Sequence, residues 1–194
     1  MSMFCYQCEQ TAGGTGCTRQ GVCGKDPETA GLQDLLIHSL KGLARYAWEA
    51  WRLGARDPDL DGFVQEAVFS TLTNVNFDAE RFVDYVSRSE GLKDRARELL
   101  AGAGGTPGED LRPAIPGTKD KQELLGTAAH VGILSDTHPD ADVRGLRQLI
   151  IYGVKGICAY AYHARALGRT SPDVDGFVYE ALAAVTDDRL GVDD

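Results

Sequence analysis

The sequence lacks several features that would assign it to a common class of protein. Its longest apolar stretches, such as residues 153–161, are interrupted by a lysine and fall well short of the roughly 20 residues that a bilayer span needs. Lysine and arginine (20) are outnumbered by aspartate and glutamate (29), so no basic surface is expected to bind nucleic-acid phosphates. The first residues show no basic segment followed by an apolar run. We therefore expect a cytoplasmic protein with no membrane segment and no nucleic-acid partner.

The sequence also lacks the patterns of common catalytic sites. No two histidines have the i, i+4 spacing of a helical metal site. No serine or cysteine is paired in sequence with a base, so hydrolase chemistry has no candidate. The glycines at 102–105 follow a predicted helix and lack the Gly-Lys-Ser/Thr ending of a phosphate loop, so we interpret them as part of a linker. The four scattered histidines are His38, His130, His138 and His163.

The cysteines are the first informative feature. Cys5, Cys8, Cys17 and Cys23 lie together near one end of the 194 residues, whereas Cys158 stands alone. In a reducing compartment such a cluster indicates a metal site, because thiolates held close together need a soft cation to offset their repulsion. The spacing Cys-x2-Cys-x8-Cys-x5-Cys predicts a pocket of four thiolates. Cys158 falls on the apolar side of a predicted helix, where we expect a buried and inert thiol.

Two kinds of metal centre fit this cysteine cluster. Zinc and iron–sulfur clusters both accept four thiolates. The loop is rich in glycine, which lets the backbone approach a bulky cluster closely and direct N–H groups at its sulfides. A structural zinc site usually repeats Cys-x2-Cys in its second half, but that half is Cys-x5-Cys here. These features favour an iron–sulfur cluster and leave zinc as the alternative.

The chain contains an internal repeat. Residues 32–69 align with residues 146–183 without a gap, and roughly half of the aligned positions are identical. Shared segments include Lys-Gly at 41–42 and 155–156, and Asp-Gly-Phe-Val at 61–64 and 175–178. Such similarity indicates two copies of one helical unit.

Apolar residues recur at helical spacing throughout both units, and no stretch alternates with the period of a strand. The first helix of the first unit is predicted to run up to Gly54, and Asp57-Pro58 and Ser171-Pro172 are predicted to open the second helix of each unit. Asp78 is predicted to cap a third helix, and Asp120 a short one. The sequence therefore predicts an all-α fold. The apolar stripe of the third helix is Phe82, Val86, Leu92, Ala96 and Leu99.

We divide the chain into four regions. Residues 1–27 form the cysteine-rich loop, 28–103 the first helical bundle, 104–118 a linker, and 119–194 a second bundle that repeats the first without its last helix. Because that helix is missing, we expect apolar side chains of the second unit to lack a cover, with only Leu124 and Leu125 near enough to shield some of them. The side chains concerned are Leu146, Leu149, Ile150, Ile157, Phe177, Val178, Leu182 and Val185.

The segment Met3-Phe4-Cys5-Tyr6-Gln7-Cys8-Glu9-Gln10-Thr11 is followed by further characteristic segments at residues 15–18, 21–25 and 32–36. Together these segments resemble a known family, the hybrid cluster proteins, also called prismane proteins or hydroxylamine reductases. Further along the chain, the resemblance includes residues 71–74 and 131–134 and the lysine-glycine pair at 155–156. It covers this whole chain but only about the first third of the family's length.

The resemblance implies two three-helix bundles and a cubane cluster. By position, its ligands are Cys5, Cys8, Cys17 and Cys23, and their spacing is similar to that of family members that bind a 4Fe-4S cluster. The family's catalytic hybrid cluster takes its ligands from later domains, and Cys158 alone cannot supply them.

The resemblance therefore implies an electron-relay domain that receives electrons from a soluble donor and does not reduce hydroxylamine by itself. Its other partners would be the later catalytic domains or, in a homodimer, a second copy of the chain. The alternative is a non-catalytic helical module, stapled by its metal or acting as a redox sensor.

Overall fold

A computed structural model describes residues 3–194, so the first two residues of the predicted cysteine-rich loop lie outside the described residues. Within that range the isolated bridge between Cys5 and Cys17 is the one β feature, and the prediction of an all-α fold is confirmed. No helix of the described residues is long and apolar enough to cross a membrane. The helices are α1 (Pro27–Arg52), α2 (Pro58–Ser70), α3 (Ala79–Gly102), α4 (Lys121–Ala128), α5 (Ala141–Ala166) and α6 (Pro172–Ala184).

Acidic side chains fix where most of these helices begin. The carboxylates of Asp57, Asp78 and Asp120 each accept hydrogen bonds from the first backbone N–H groups of α2, α3 and α4, as predicted. Helix α6 begins at the predicted Pro172, but the shorter side chain of Ser171 makes no capping hydrogen bond. The prediction of a side-chain cap at Ser171 is therefore wrong, although the start of the helix is confirmed.

The two repeats exchange their second helices. Helix α1 packs extensively against α3 and α6, and α2 packs mainly against α5. The long helix of each repeat is thus paired with the second helix of the other repeat. A single hydrophobic core contains residues from all six helices.

Equivalent residues make equivalent contacts across this exchange. Tyr179 of α6 donates a hydrogen bond to Asp61 of α2 at 2.7 Å, and Gln65 of α2 donates one to Asp175 of α6. Asp61 aligns with Asp175 in the repeat, and Gln65 aligns with Tyr179. The exchange is therefore approximately symmetric, and the Tyr179 hydroxyl, the Gln65 amide and the two carboxylates at its centre are hydrogen-bonded to one another.

The glycine of each Asp-Gly-Phe-Val segment permits the close approach of these helices. Trp51 of α1 lies where a Cβ atom at Gly176 would be, and Arg165 of α5 lies 3.4 Å from the position of a Cβ atom at Gly62. Trp51 and Arg165 are themselves equivalent in the repeat. A side chain at Gly176 would displace an indole ring, whereas the approach at Gly62 is ordinary van der Waals contact, so the packing requires glycine in the second repeat.

Helix α3 covers the first repeat only. Tyr85 of α3 lies with its ring centroid 6.2 Å from that of Phe63, and the guanidinium of Arg97 lies 5.5 Å from the ring centroid of Tyr46. Tyr46 is 6% exposed, whereas its equivalent in the second repeat, Tyr160, is 83% exposed. The difference arises because the described chain has no counterpart of α3 against α5.

The expected uncovered surface of the second repeat is therefore smaller than predicted. Leu149, Ile150 and Phe177 are exposed, as expected. The other members of the predicted set are covered to different degrees: Leu146 and Ile157 are half-buried, and Val178, Leu182 and Val185 are buried. The prediction is wrong for those last three, because α6 packs on α1 through the exchange.

The segment between α3 and α4 is attached to α1. The Tyr46 hydroxyl donates to the carbonyl oxygen of Gly108 at 2.9 Å, and Arg112 donates to the carbonyl oxygen of His38 at 2.9 Å. Leu124 and Leu125 of α4 are buried, but α4 packs on α1 and α3. The expectation that α4 shields the second repeat is therefore wrong.

Candidate functional site

The cysteine-rich loop is folded back on itself by backbone hydrogen bonds. The N–H of Cys5 donates to the carbonyl of Cys17 at 3.1 Å, and the N–H of Cys17 donates to the carbonyl of Cys5 at 2.8 Å. A turn closes after Cys8, where the N–H of Thr11 donates to the Cys8 carbonyl at 3.2 Å. These bonds bring the first and third cysteines of the motif side by side.

The sulfur of Cys17 lies in surroundings that stabilise a thiolate. Cys17 is buried, and its Sγ accepts a hydrogen bond from the N–H of Ala12 at 3.4 Å. The pKa of the Cys17 thiol is lowered, first by the hydrogen bond from the Ala12 N–H and then by that from the Val22 N–H. Backbone N–H groups directed at sulfur are what thiolate ligands of a metal cluster need.

Cys23 lies in a tight turn on the other side of the loop. A Cβ atom at Gly21 would lie 3.0 Å from the Cys23 sulfur, so a side chain there would crowd the thiol. The N–H of Gly21 donates to the carbonyl of Lys25 at 2.7 Å, which closes the turn.

Buried polar contacts fix the loop to the helices. Lys25 is buried, and its ammonium group donates to the side-chain oxygen of Gln33 at 2.6 Å. Gln33 in turn donates to the carbonyl of Asn76 at 3.1 Å, and Asp26 caps α1. Sequence reasoning missed Lys25 and Gln33, since a polar residue gives no sign of burial until its partner is known.

The four predicted ligands share one loop, but their side chains do not converge. Among residues 3–194, no group of three or more histidine, cysteine, aspartate or glutamate side chains is arranged to hold a metal ion. The backbone pairs Cys5 with Cys17, whereas Cys8 and Cys23 stand in separate turns. The donor set of four thiols, with backbone N–H groups near one sulfur, nevertheless fits a thiolate-ligated cluster in its chemistry.

Cys158 lies apart from this loop, as predicted. It is buried in α5 within the hydrophobic core, and burial raises the pKa of its thiol to about 12. The aligned residue of the first repeat is Ala44. The Cys158 side chain therefore packs in the core as a small, neutral, apolar group.

A cavity of about 950 Å³ lies between α1 and α5, next to Tyr6 and Gln7 of the loop. The charged side chains that these two helices contribute to its lining are Asp34 and Lys41 of α1 and Arg147 and Lys155 of α5. Burial raises the pKa of Asp34 to about 6, and it lowers the pKa of Lys41 and of Lys155 to about 8 each. Sequence reasoning missed this cavity, although Lys41 and Lys155 are identical residues at equivalent positions of the repeat.

We expect the substitution Lys41→Met to stabilise the protein at pH 7. A lysine whose pKa is lower in the folded state than its usual 10.5 destabilises the fold while it is protonated in both states. The penalty is fully present below about pH 8 and disappears as the pH rises to about 10.5. Methionine fills similar space without the charge, so the free energy of unfolding should rise by about 1–3 kcal/mol at pH 7.

Urea unfolding of this variant and the parent at pH 7 and above pH 10 measures the difference. Lys119→Met is the control, because Lys119 is exposed and pairs only with the exposed Asp84. A loss of stability at pH 7, or a gain of equal size at both pH values, would show that burial of the Lys41 charge is not costly.

Comparison with known proteins places the chain in a family. The model of the Prismane/CO dehydrogenase family matches residues 3–192. Hydroxylamine reductase of Desulfitobacterium hafniense (strain DSM 10664 / DCB-2) is 46% identical over 194 residues, which are 100% of this chain and 35% of that protein.

Two further relatives have the same relation to the chain. The hydroxylamine reductase of Thermoanaerobacter pseudethanolicus is 45% identical, across 100% of this chain and 35% of its own length. That of Methanocella arvoryzae is 43% identical, across 99% of this chain and 36% of its own length. The chain thus spans about a third of the length of the relatives that it matches. With its cysteine loop, repeated helices and matching family model, the chain belongs to the Prismane/CO dehydrogenase family.

Proposed function

We propose that this chain is the electron-transfer part of a hydroxylamine reductase and that Cys5, Cys8, Cys17 and Cys23 hold a 4Fe-4S cluster. The observation that carries the proposal is the folded loop that places Cys5 beside Cys17, with the Ala12 N–H donating to the Cys17 sulfur. When bound, a 4Fe-4S cluster accepts and donates one electron at a time.

The residues of the chain would prepare the loop for this cluster. The antiparallel bridge holds the backbone of Cys5 beside that of Cys17, and the turns at Cys8 and Cys23 carry the other two thiols. Four thiolates repel one another until a cation joins them, so the side chains are expected to converge on binding. Lys25 and Gln33 keep the loop against α1 during that change.

The proposed location and partners follow from the same chemistry. Four clustered cysteines that serve as metal ligands are typical of a reducing compartment, which supports the cytoplasm. A soluble reductant would supply electrons at the loop. The electrons would leave for a catalytic cluster in the part of the family's length that this chain does not span.

Analysis of anaerobically purified protein tests the proposal. We expect about four irons and four sulfides per chain, brown colour in the visible range, and reversible one-electron reduction. With reduced viologen, the chain should not convert hydroxylamine to ammonia above a cluster-free control, since it lacks further ligands for a catalytic cluster.

Three results would count against this proposal. Stoichiometric zinc without sulfide would exclude the cluster. Sustained production of ammonia would show that the chain is itself a catalyst. Iron and sulfide that no reductant can reduce would favour the alternative of a metal-stapled interaction module.

A further inference from the structure

The cavity between α1 and α5 has walls that are related by the repeat. Lys41 on α1 and Lys155 on α5 occupy equivalent positions, and both line it. Ile37 and Ile151 are a second identical pair in the lining. A duplicated unit has therefore placed an ammonium group and an apolar side chain on each of two facing walls.

The positive charges around the cavity differ in how they are paired. Arg147 forms ion pairs with Asp136 at 3.3 Å and with Asp188 at 2.8 Å, and Arg112 forms one with Asp110 at 2.7 Å. These two guanidinium groups are thus already matched by carboxylates.

The two lysines are not matched in this way. Within residues 3–194 neither Lys41 nor Lys155 has a carboxylate within 4.0 Å, and Asp34, which lines the same cavity, reaches neither of them. Lys155 donates to neutral oxygens, the carbonyl of Thr71 at 3.4 Å and, with the amide of Gln7 suitably oriented, its side-chain oxygen at 3.0 Å. Lys41 makes no hydrogen bond with the described residues.

A pair of incompletely neutralised ammonium groups in a partly enclosed site is costly for the protein alone. Removing a charge from water disfavours the fold unless an opposite charge offsets it. Asp34 attracts both ammonium groups from beyond 4.0 Å, so their charge is offset only in part. Lysine ammonium groups bind phosphate oxygens as point charges, and a ligand with several anionic oxygens can accept hydrogen bonds from both lysines at once.

The size and the apolar lining restrict the ligand further. A volume of about 950 Å³ is at the upper end of small-molecule sites, which range from about 300 to 1,000 Å³. Inorganic phosphate alone would leave most of that space empty. Ile37 and Ile151 offer apolar surface that suits an organic portion.

We propose that this cavity binds a small organic phosphate or diphosphate, with its anionic oxygens held between Lys41 and Lys155. This site is separate from the proposed cluster ligands, and the inference does not depend on the proposed electron transfer. Asp34 lies on α1 with Lys41, and its carboxylate repels a bound anion. Removing this charge should therefore strengthen binding, whereas removing either lysine should weaken it.

Isothermal titration calorimetry of the whole chain with inorganic pyrophosphate, at ionic strength held constant with sodium chloride, tests the anionic half of this site. Lys41→Met and Lys155→Met should each weaken binding by about tenfold or more, and by similar factors because the residues are equivalent. Asp34→Asn should strengthen binding. Lys41→Arg should retain it, and the exposed control Lys119→Met should leave it unchanged.

Circular dichroism and the iron content of each variant show whether it remains folded and loaded. Pyrophosphate binding that is absent at millimolar concentration in the parent protein would overturn the proposal. So would binding that is unaffected by both cavity variants, or that Lys119→Met weakens equally, since either result means general charge attraction. The experiment measures pyrophosphate affinity, so absence of binding would not contradict the cluster proposal. Loss of the cluster from a folded chain would not contradict the phosphate site.

Discussion

Replacing any of Cys5, Cys8, Cys17 or Cys23 with alanine should remove most of the iron and sulfide from the anaerobically purified protein, whereas Cys158→Ala should retain both. A cubane with four thiolate ligands loses one of its protein bonds in each of the first four variants and becomes open to solvent and oxidants. Metal and sulfide analysis, with visible absorption, measures the loss. We expect nearly complete loss of iron and sulfide in the first four variants and almost none in Cys158→Ala.

Cys158→Ala is a matched control because the equivalent position of the first repeat already carries alanine. Ala44, the equivalent residue, is fully buried in the same kind of helix, so alanine is compatible with that position. The raised pKa of the Cys158 thiol also makes it a poor ligand at neutral pH. Loss of iron from this variant, with the helical content unchanged, would contradict the assignment of the four ligands.

Cys17→Ala should have a second effect that Cys8→Ala and Cys23→Ala lack. Cys17 packs with Met3 and Ala30 in a small apolar cluster separate from the main core. Its sulfur also accepts the Ala12 N–H, which would lose its partner. We therefore expect the loop to be cut faster by protease in this variant than in Cys8→Ala, even when both are compared without metal.

Local sequence determined the helix boundaries well. Asp57, Asp78 and Asp120 were identifiable as N-caps because a carboxylate before a helical apolar pattern satisfies free backbone N–H groups whatever the tertiary structure is. Gly54 was identifiable as a stop for the same local reason, and it has a φ of 86°. Such features depend on neighbours within one helical turn.

The exchange of second helices could not be predicted from the repeat. Because α1 and α5 share their apolar pattern, the apolar face of α2 could pack on either of them. Contacts that join each long helix to its exchanged partner act across the chain, as Trp51 of α1 does against Gly176 of α6 and Arg165 of α5 does on Gln65 of α2. A comparison of the two repeats identifies these positions only after the partner is known.

The cavity was missed for a related reason. A lysine on an amphipathic helix is normally placed on the solvent side, where its charge is hydrated. Lys155 is 5% exposed, and neither its helix nor its neighbours in sequence indicate this burial. The one available signal was that Lys41 and Lys155 are identical in repeats that differ at about half of their positions.

Substitutions at equivalent positions of the two repeats should differ strongly in their effect on stability. Leu35 is 0% exposed, whereas its equivalent Leu149 is 64% exposed. Leu35→Ala leaves a cavity in the core and should lower the free energy of unfolding by about 2–5 kcal/mol. Leu149→Ala removes a side chain that water already contacts and should change it by less than about 0.5 kcal/mol. Urea unfolding followed by circular dichroism compares the two, and equal costs would show that the second repeat is covered in solution.

The same exposed surface should make the isolated chain self-associate. Leu149 and Tyr160 lie on one face of α5, because their separation is close to three helical turns, and the equivalent tyrosine Tyr46 is covered by α3. We propose that either a second copy or the later part of the family's length covers this face. When the later part is absent, burial of this face in a dimer removes apolar area from water. Each Å² so buried stabilises the dimer by about 25 cal/mol, which favours dimers at high concentration.

Sedimentation equilibrium of the double variant Leu149→Lys with Tyr160→Lys tests this prediction. Two like charges on the face should keep the chain monomeric over the range where the parent associates. Leu111→Lys is the control, since Leu111 is 83% exposed and lies outside α5. A parent chain that stays monomeric at high concentration, with strong amide protection across residues 146–185, would mean that the second repeat is stable with its face exposed. The exchanged packing of α6 on α1 would then be sufficient to hold α5 in place.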